Sequence, residues 1–586
     1  MKRTLILVLA LLAPLALFAD DSKISPDLQD SSATGQTQVV VQYAPGTQLS
    51  CGLLGLGCIL NDVLKLGGAI LGQLPLVNGL VASLDHNGIV SLSNQSNVVY
   101  ISKDRPLTPF FDNAGPAVNA SAAWQSNYTG AGIGVALIDS GVNNHPDLMT
   151  TGLLPVSRIV YNKSFVPGDS SGADAYGHGT HIAGLIAGNG LSSTGPLFSQ
   201  NFKGIAPGTK IINLRVLDAN GSATDSSVIA AINQAISLKS QYNIRVINLS
   251  LGRGVFESYK LDPLCQAVEK AWKNGIVVVV AAGNNGRFLP TSGYGTVTSP
   301  GNDPYVLTVG SMKPMGTPQR TDDLIASYSS KGPTMLDHIV KPDVVAPGNL
   351  LVSTETSNTT LYNTETSNQI PYSAYIYGGS SSPSKTYFEL SGTSMATGVV
   401  SGMVADLLQA HPTLTPDQVK ARLMKSASKT FPTTSSVYDP ASGITYTSQY
   451  DIFTVGAGYV DLAAALASSD LPSGTAMSPT AIYDSSTGNV RLTSDSSSTW
   501  GASQTWSGPA IWGTTQFTGS SIMWGATSSS GSSIMWGASG LWGSSIMWGA
   551  NTSSGFSAIW SNSIMWGASG QWANSIMWGA SADKGE

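Results

Sequence analysis

The sequence predicts an α/β protein in which a parallel sheet carries helices on both faces, with a small α+β unit before it and a repeat tail after it. From Gly130 to about residue 466, continuous apolar runs alternate with amphipathic stretches. Such runs are typical of strands buried on both faces, and their alternation with helices favours parallel strands. After residue 470 the sequence fades into Ser, Thr, Gly and Trp, which predicts a β-rich or partly disordered tail.

The composition limits the classes that remain. A length of 586 residues exceeds one ordinary domain and suggests roughly two to four. Only 11% of residues are charged and the net charge is −6, so no basic stripe is available and we expect no nucleic-acid partner. The three cysteines (Cys51, Cys58 and Cys265) cannot build a disulfide framework in so long a chain, and no CxxC pair exists for zinc.

Residues 1–19 have the pattern of a cleaved secretory signal. A basic start precedes an apolar run that ends at Phe18, and Ala19 stands before the first acidic residue. An uncleaved membrane anchor is the alternative, although it needs about 20 apolar residues. Charged residues interrupt the later apolar region at 52–84. We therefore expect a secreted protein, extracellular or at the cell surface, with no transmembrane span in its mature form.

Residues 20–118 are expected to form a small α+β domain with a linker. The β-branched run VVVQYAPG follows Gln38 and closes with a Pro-Gly turn. An apolar, helix-like stretch covers Leu53–Leu66, and VASLDHNGIVSL and NVVYISKD are two further strand candidates. About 80 residues of this kind can bury a modest core.

Residues 119–470 are expected to form the main domain. Strand-like runs (GIGVALID, TKIINLRVLD, RVINLSLG and IVVVVAAGN) alternate there with helix-like stretches (THIAGLIAG, SVIAAINQAI and LCQAVEKAWKNG). Four short segments of this domain, far apart in sequence, each end a strand or open a helix with a polar side chain suited to chemistry.

The first two segments supply an acid and a base. Asp139 ends a buried strand in VALIDSG, where it could simply cap the next element. His178, flanked by glycines at a helix start in GHGTH, is sterically open as a proton-transfer base must be, although a structural histidine is the alternative. His181 lies three residues further on, but no third metal ligand is near and HExxH is absent.

The other two segments supply a hydroxyl and an amide. Ser394 lies in SGTSMA at the N-terminus of an apolar helix, where a serine is usually a cap. Amide N–H groups and the helix dipole there also favour developing negative charge, as an acyl-transfer transition state requires. Asn284 follows the most apolar strand in AAGNNG, where it can aim its amide at a crevice or act as a turn residue.

Together these segments resemble the subtilase family, the subtilisin-like serine endopeptidases of the S8 type. Asp, His and Ser occur in the chain order of subtilisin. The motifs VALIDSGVNNHPDL, GHGTHIAG, VINLSLG, AAGNNG and GTSMATG carry the resemblance over residues 130–466. It implies a subtilisin-like fold, protein or peptide substrates and no required cofactor.

The resemblance also implies a role for each candidate residue. Asp139 orients and supports His178, which removes the proton from Ser394 so that the serine oxygen attacks the scissile carbonyl. The Asn284 side-chain amide and the Ser394 N–H hold the oxyanion. The substrate backbone is expected to pair, as an added strand, with Ser250, Leu251 and Gly252.

Three features depart from the family pattern. Gly398 stands where the family usually has proline, which predicts a looser helix start. A polar insertion between Gly348 and Ser391 precedes the nucleophile segment and could shape the substrate cleft. Asp147 in HPDL matches a frequent calcium-ligand position, but no companion loop is recognisable after Gly190. The resemblance thus allows structural calcium without requiring it.

Residues 37–104 resemble the inhibitory propeptide of secreted subtilases in their place and in their strand–helix–strand order. The resemblance implies an intramolecular inhibitor that assists folding, blocks the cleft and is removed by self-cleavage near 104–118. An unrelated adaptor domain is the alternative, because the likeness is a fold analogy. Cys51 and Cys58 would leave with this segment, whereas Cys265 would stay in the core of the mature enzyme.

Residues 471–586 form a tail with a six-residue period. Eleven of the 13 tryptophans are separated by multiples of six, and SIMWGA occurs five times. A six-residue rung suits a small β-solenoid, with an unstructured linker as the alternative. The tail could attach to the cell envelope, to carbohydrate or to further copies of the chain, or could be a removable secretion segment. The tryptophans lie at 500, 506, 512, 524, 536, 542, 548, 560, 566, 572 and 578.

Two functions follow from these patterns. The first is a secreted serine endopeptidase that acts through an Asp-His-Ser triad and an acyl-enzyme, and is made as a self-processing precursor. The alternative is a catalytically impaired surface binding or adhesive protein that uses the Trp repeat tail. All four catalytic positions hold the expected residue types, which favours the enzyme. The resemblance suggests broad cleavage after apolar or aromatic residues.

Overall fold

The computed structural model covers most of the first 500 residues and short pieces of the tail. The described residues are 21–25, 28–29, 35–47, 60–74, 77–103, 114–439, 442–484, 489–500, 511, 535–536, 547–548 and 576–577. The expected signal, Cys51, Cys58 and most of the tryptophan repeats lie outside them. The chain divides into two compact units, Met1–Thr108 and Pro109–Glu586.

In its described residues, the first unit is a four-stranded antiparallel sheet with two α-helices. Its elements are β1 (Thr37–Tyr43), α1 (Leu60–Lys65), β2 (Ala69–Leu74), β3 (Gly79–Leu84), α2 (His86–Ser93) and β4 (Val98–Lys103). The strand order is β2-β3-β1-β4, and every neighbouring pair is antiparallel. β1 buries alternate side chains, Val39, Val41 and Tyr43, as expected for a sheet with one covered face. The unit therefore has a core of its own.

The segment VASLDHNGIVSL, predicted as one strand, is a strand followed by a helix. β3 ends at Leu84, and the Asp85 carboxylate accepts a hydrogen bond from the Gly88 N–H at 2.7 Å, which caps α2. Ile89 and Leu92, three residues apart, are buried on one face of this helix. The strand prediction was wrong because it overlooked the cap and this helical spacing.

The second unit holds the remaining elements. Its helices are α3 (Ala114–Ala117), α4 (Ala120–Gln125), α5 (His178–Ala187), α6 (Asp225–Tyr242), α7 (Pro263–Lys273), α8 (Thr360–Thr364), α9 (Thr393–Ala410), α10 (Pro416–Ser426) and α11 (Leu462–Ala467). No helix in the described part of the chain is both long enough and apolar enough to cross a membrane.

The strands of the second unit include those of the central sheet and several shorter ones. They are β5 (Gly134–Asp139), β6 (Ile159–Ser164), β7 (Lys210–Arg215), β8 (Ser222–Ala223), β9 (Ile244–Leu249), β10 (Val277–Ala281), β11 (Leu307–Lys313), β12 (Leu324–Ile325), β13 (Val344–Pro347), β14 (Leu351–Thr354), β15 (Gln369–Pro371), β16 (Pro383–Leu390), β17 (Thr434–Asp439), β18 (Ile444–Gln449), β19 (Thr480–Asp484), β20 (Asn489–Thr493), β21 (Met535–Trp536), β22 (Met547–Trp548) and β23 (Ile576–Met577).

The central sheet has the strand order β12-β11-β10-β9-β5-β7-β6, with β13 beside β11. All neighbouring pairs are parallel except β11 with β12. β5 and β10 are buried along their whole length, as the continuous apolar runs predict. Helices α5 and α9 pack together and against the sheet, as do α6 and α7. The predicted α/β domain with a parallel sheet is confirmed.

The insertion before the nucleophile segment forms its own antiparallel sheet, in the order β14-β16-β15. Aromatic residues of the insertion pack on a neighbouring loop, with ring centroids 5.6 Å apart for Phe202 and Tyr375 and 4.8 Å apart for Phe202 and Tyr387. β16 leads directly through Ser391 into α9. The insertion is thus a packed part of the domain and is continuous with the helix that carries Ser394.

The folded body continues past residue 470. Ser478 Oγ donates a hydrogen bond to the Asp343 carboxylate at 2.5 Å. Asp343 is fully buried between Lys341 and Lys420, with N–O distances of 2.7 and 3.1 Å. Trp500, the first tryptophan of the six-residue period, packs against the hydrophobic core of the second unit. The segment that opens the Ser-rich region therefore completes a buried ion cluster of the main domain.

In the repeat part of the tail, the described residues include three two-residue strands. β21 and β22 pair in parallel, with Met535 opposite Met547 and Trp536 opposite Trp548. Paired residues thus come from equivalent positions of two SIMWGA units. β23 pairs antiparallel with β8 of the main domain.

Gly398 lies within α9, in its second turn, and not at its start. A Cβ built on Gly398 would lie 3.4 Å from Ile182 Cγ2 and 3.4 Å from Leu185 Cβ, both on α5. These are ordinary contact distances. The glycine therefore lies where α9 packs on α5, and the looser helix start predicted from the sequence does not follow from its surroundings.

We expect Gly398→Ala to raise stability by about 0.5–1 kcal/mol, because alanine fits the space and narrows the unfolded ensemble. Gly402→Ala, one turn later, is the matched control: its Cβ would lie 2.7 Å from Ile205 Cβ. That overlap should lower stability by about 1–3 kcal/mol. Urea unfolding of both variants measures the difference, and equal shifts of the two midpoints would contradict this packing.

Candidate active site

The predicted site residues lie where neighbouring elements of the main domain begin or end. β5 ends at Asp139, Ser250 directly follows β9, and Asn284 comes three residues after β10. These three strands are adjacent and parallel, so their carboxyl ends share one edge of the sheet. His178 opens α5 and Ser394 is the second residue of α9. The carboxyl edge of a parallel sheet is the usual place for a site in such folds.

Asp139 and His178 form a buried pair. His178 Nδ1 lies 3.1 Å from Asp139 Oδ1 and 3.2 Å from Oδ2, and neither residue is exposed to solvent. Asp139 Oδ1 also accepts the Ser140 N–H at 2.6 Å. A carboxylate at Nδ1 fixes the histidine tautomer and supports a positive charge on the ring.

Ser394 lies in the first turn of α9 and is nearly buried, with 2% of its surface exposed. Its hydroxyl donates to the Ser250 carbonyl at 3.2 Å, and Ser250 Oγ donates back to the Ser394 carbonyl at 2.9 Å. Asn248 Nδ2 donates to Ser250 Oγ at 2.9 Å, and Ser401 Oγ donates to Asn248 Oδ1 at 2.8 Å. The end of β9 is thus tied to the helix that carries Ser394.

The side-chain amide of Asn284 is held in one orientation. Its Oδ1 accepts the Thr393 N–H and the Thr393 hydroxyl, both at 2.9 Å. Thr393 Oγ1 in turn accepts the Gly283 N–H at 3.2 Å. Because the carbonyl end of the amide is engaged by Thr393, the NH2 end is available as a hydrogen-bond donor beside the start of α9.

The segment Ser250–Gly252 lies next to this site. Leu251 is 3% exposed, and Ser250 is fully buried. A Cβ on Gly252 would meet Thr298 Oγ1 at 2.5 Å and the Ser299 carbonyl at 2.9 Å, so only glycine fits there. The segment passes close to the Thr298 side chain and the Ser299 carbonyl, with no room for a side chain at its end.

His181 has a structural place in α5. Its Nε2 lies 3.0 Å from the Leu351 carbonyl and 3.1 Å from the Phe388 carbonyl. Burial, with His178 close by, lowers the pKa of His181 to about 3, so the ring is neutral and donates its proton to these carbonyls. It ties α5 to β14 and β16 of the insertion.

A second buried carboxyl group adjoins the start of α5. Glu355 Oε1 accepts the Thr356 N–H at 2.7 Å and the Thr359 hydroxyl at 3.2 Å. Its Oε2 lies 2.7 Å from the position that a Cβ on Gly177 would take. Burial, together with the nearby Asp174, raises the pKa of Glu355 well above its ordinary value. Glu355 therefore stays protonated over a wider pH range than an exposed glutamate.

Sequence reasoning missed several residues that hold the site. Thr393 orients the Asn284 amide, and Ser140 and Asp174 join the end of β5 to the start of α5. One signal was available: Asp174 comes four residues before His178, close to a helix start, where acidic residues satisfy free N–H groups. Nothing in the local sequence points to Thr393 in this role.

The surroundings of Asp147 do not fit a calcium ion. Its Oδ1 accepts the Ser192 N–H at 2.7 Å, and its Oδ2 accepts the Tyr387 hydroxyl at 2.6 Å. Its main-chain carbonyl accepts Arg158 Nη2 at 2.6 Å and the Asn189 N–H at 2.9 Å. Calcium needs six to eight oxygen ligands. At Asp147, protein donors and a guanidinium already engage the oxygens that would ligate it.

A serine at a helix N-terminus, on the sheet edge that also holds a buried Asp–His pair, fits the class of serine hydrolases. The chain belongs to the subtilase family: the family model Peptidase_S8, Subtilase family, matches residues 130–443, more than half of the chain. The prediction of a serine-type endopeptidase is thereby confirmed. The alternative of a catalytically impaired surface binding or adhesive protein is not favoured.

The chain is similar to named proteases over most of their length. It is 35% identical to Serine protease AprX of Bacillus subtilis (strain 168) over 349 residues, 58% of this chain and 71% of that protein. It is 32% identical to Subtilisin E of the same organism over 402 residues, 68% of this chain and 88% of that protein. Identity to Subtilisin of Bacillus pumilus is 36% over 312 residues, 53% and 89% of the two chains.

Proposed function

We propose that the chain is the precursor of a secreted serine endopeptidase in which Asp139, His178 and Ser394 are the catalytic triad and Asn284 is an oxyanion donor. The observation that carries the proposal is the buried 3.1 Å contact between His178 Nδ1 and Asp139, at the sheet edge next to the start of α9. The family assignment supports protein or peptide substrates.

The proposed reaction is acyl transfer in two halves. His178 Nε2 takes the proton of Ser394 Oγ as the serine oxygen bonds to the substrate carbonyl carbon. The oxyanion receives hydrogen bonds from Asn284 Nδ2 and the Ser394 N–H, at the positive end of α9. The C–N bond then breaks as the histidine proton passes to the leaving amine. In the second half, His178 takes a proton from water, the water oxygen attacks the acyl carbonyl, and the proton returns to Ser394 Oγ as the ester bond breaks.

The resting hydroxyl has to turn before it reacts. Ser394 Oγ donates to the Ser250 carbonyl in this structure, at a distance of 3.2 Å. In the proposed mechanism, rotation of the Ser394 side chain redirects its O–H group from the Ser250 carbonyl to His178 Nε2 when substrate is bound, and the proton is transferred as the serine oxygen attacks. Catalytic hydrogen bonds often tighten only in the substrate complex, so the resting geometry is compatible with this role.

Substrate binding is proposed along Ser250, Leu251 and Gly252. An extended peptide can add to such a segment as a further strand, with main-chain hydrogen bonds that do not depend on its sequence. The close approach of Gly252 to the Thr298 side chain and the Ser299 carbonyl supports a closely packed wall on this side of the cleft.

The first unit is proposed to be an intramolecular inhibitor that self-cleavage removes. Its separate core and four-stranded sheet support a segment that folds as a body of its own. The proposed cut lies near 104–118, of which residues 104–113 are outside the described part of the chain. The proposed layout is a signal at 1–19, the propeptide with its linker at 20–118, the peptidase at 119–470 and the tail at 471–586, of which the first residues, up to Trp500, pack with the peptidase.

The tail is proposed to form a β-solenoid-like stack that anchors the enzyme to the envelope or to further copies. The in-register pairing of β21 with β22, two six-residue units apart, supports lateral stacking of equivalent repeats. Secretion is proposed from the pattern of residues 1–19, which lie outside the described residues.

Calcium is proposed not to bind at Asp147, because the Tyr387 hydroxyl and the Ser192 N–H take its two carboxylate oxygens. We expect the melting temperature, measured in a Ser394→Ala background to prevent autolysis, to be the same with EDTA and with added calcium. Tyr387→Phe should lower stability by about 1–3 kcal/mol, because it leaves a buried carboxylate oxygen without its donor.

Tyr377→Phe is the matched control, since that tyrosine is 68% exposed. It should change the melting temperature little. A clear fall of the parent melting temperature in EDTA, reversed by calcium, would show that the ion does contribute to the fold.

The proposed function is tested by labelling with a fluorophosphonate probe after the first unit has been removed. We expect one adduct, and peptide mapping should place it on Ser394, because the probe reacts with a serine that a histidine activates. Absence of label from the processed, folded protein would favour the impaired binding protein instead.

A further inference from the structure

We propose that Asp174 is a positioning residue that aligns the Asp139–His178 pair by acting through Ser140. The inference rests on the proposed function, since it concerns the alignment of the proposed acid and base. It arises from a buried network that links the end of β5 to the first turn of α5.

On one side, Asp174 holds the start of α5. Its Oδ1 accepts the Gly177 N–H at 2.7 Å. Its Oδ2 accepts the Thr180 N–H at 2.8 Å and the Thr180 hydroxyl at 2.7 Å. The first N–H groups of a helix have no partner within the helix, and a carboxylate there also opposes the positive end of the helix dipole. Asp174 therefore fixes the turn in which His178 lies.

On the other side, Ser140 carries the link to Asp139. Ser140 Oγ donates to Asp174 Oδ1 at 2.8 Å and accepts the Gly179 N–H at 2.8 Å. The Ser140 N–H donates to Asp139 Oδ1 at 2.6 Å. One continuous path thus joins the Asp139 carboxylate to the main-chain N–H groups on both sides of His178, those of Gly177 and Gly179.

The backbone of Asp174 is itself fixed by hydrogen bonds to the Asn143 side chain. Asn143 Oδ1 accepts the Asp174 N–H at 2.9 Å, and Asn143 Nδ2 donates to the Asp174 carbonyl at 2.9 Å. The Asn143 N–H donates to Thr180 Oγ1 at 3.0 Å, which closes the network. Asp174 is 2% exposed, and Ser140 and Thr180 are fully buried, so water does not compete for these bonds.

The two glycines explain why such a device is needed. A Cβ on Gly177 would meet Glu355 Oε2 and Thr359 Oγ1 at 2.7 Å, and one on Gly179 would meet the Gly141 carbonyl at 2.1 Å. Neither neighbour of His178 can therefore carry a side chain that anchors the turn. The turn that carries His178 is therefore positioned through main-chain N–H groups: that of Gly177 donates to Asp174, and that of Gly179 donates to Ser140. A misplacement of about 1 Å can cost a catalytic group on the order of 10²-fold in rate.

The test compares Asp174→Asn, Ser140→Ala and the double variant in the processed enzyme with a peptide substrate. Each single change should lower kcat by roughly 10- to 100-fold and leave KM nearly unchanged, because the His178 alignment is lost but the substrate strand is not. The double variant should be little worse than the more impaired single variant, because both changes break the same path.

Glu355→Gln is the matched control. The Glu355 carboxyl group also lies beside Gly177, but it accepts hydrogen bonds from Thr356 and Thr359, which lie outside α5. It should retain the parent kcat. If Asp174→Asn does not fold, Ser140→Ala decides the question, since it keeps the Asp174 bonds to Gly177 and Thr180.

Unchanged kcat in folded Ser140→Ala, or losses that multiply in the double variant, would overturn the proposal. Failure of the proposed function is recognised separately. In that case the parent enzyme itself takes no fluorophosphonate label and shows no turnover, whereas failure of this inference leaves a parent that is labelled and active.

Discussion

Ser394→Ala is expected to abolish peptide hydrolysis without unfolding the protein. The change removes the proposed nucleophile, and in the relative subtilisin the loss of that serine costs on the order of 10⁶-fold in turnover. In this structure the hydroxyl makes one 3.2 Å bond, to the Ser250 carbonyl, so its loss should cost little stability. The measurement is hydrolysis of a peptide substrate by processed enzyme, with circular dichroism to verify the fold.

Ser391→Ala is the matched control for this variant. Ser391 lies three residues earlier, and its hydroxyl accepts the Leu350 N–H at 2.9 Å, away from the proposed chemistry. Its replacement should cost about 1 kcal/mol of stability and leave turnover intact. Full activity in Ser394→Ala would remove the basis of the proposed mechanism.

Asn284→Ala should lower kcat by about 10²–10³-fold with little change in KM, the magnitude known for loss of the oxyanion amide in subtilisin. The structure supplies the physical reason: Thr393 engages Oδ1 through two 2.9 Å bonds, which leaves the NH2 end to donate to an oxyanion. That charge exists only in the transition state, so substrate binding should not suffer.

Asn285→Ala separates this effect from a general loss of loop structure. The Asn285 main-chain N–H bonds Ser330 Oγ at 3.0 Å and is kept in the variant. We expect parent-like kcat there. Steady-state kinetics of both variants decides the matter. An equal fall in the two kcat values, or a rise in KM alone for Asn284→Ala, would argue against an oxyanion role.

The main domain could be predicted from sequence because its strands are buried on both faces. The β5 and β10 runs contain no polar alternation, and the structure buries every residue of both strands. The alternation of apolar and polar residues predicts strands less well in the first unit. There, the strand β3 ends at Leu84 and Asp85 caps the helix α2, both within the segment VASLDHNGIVSL. A local cap outweighed the apolar pattern there.

The residues that support the site are harder to predict than the site residues themselves. Asp139, His178 and Ser394 each lie in a short motif, whereas the contacts that hold these motifs join residues far apart in sequence. Ser140 meets Asp174 across 34 residues, and Asn284 meets Thr393 across 109. Asp174 is recognisable as an acidic residue near a helix start, but the pairing itself has no local signature, because each contact joins the end of one strand to the start of a helix that is distant in sequence.

At the start of the tail, too, a structural role could not be predicted from the local sequence. Composition changes near residue 470, yet Ser478 bonds Asp343 across 135 residues, beside two buried lysines. A serine in a Ser-rich stretch looks interchangeable in sequence. Its hydroxyl is nevertheless one of the groups that satisfy the buried Asp343 carboxylate.

Ser394 is proposed to form an acyl-enzyme, and direct observation of that adduct is the most direct test of its role. Processed enzyme mixed with an activated ester is quenched in acid within the first turnovers, digested and analysed by mass spectrometry. We predict one acyl group, on Ser394, that accumulates in a burst and is absent from Ser394→Ala. Turnover of the ester with no adduct on Ser394, or with the same adduct on another residue, would contradict the account.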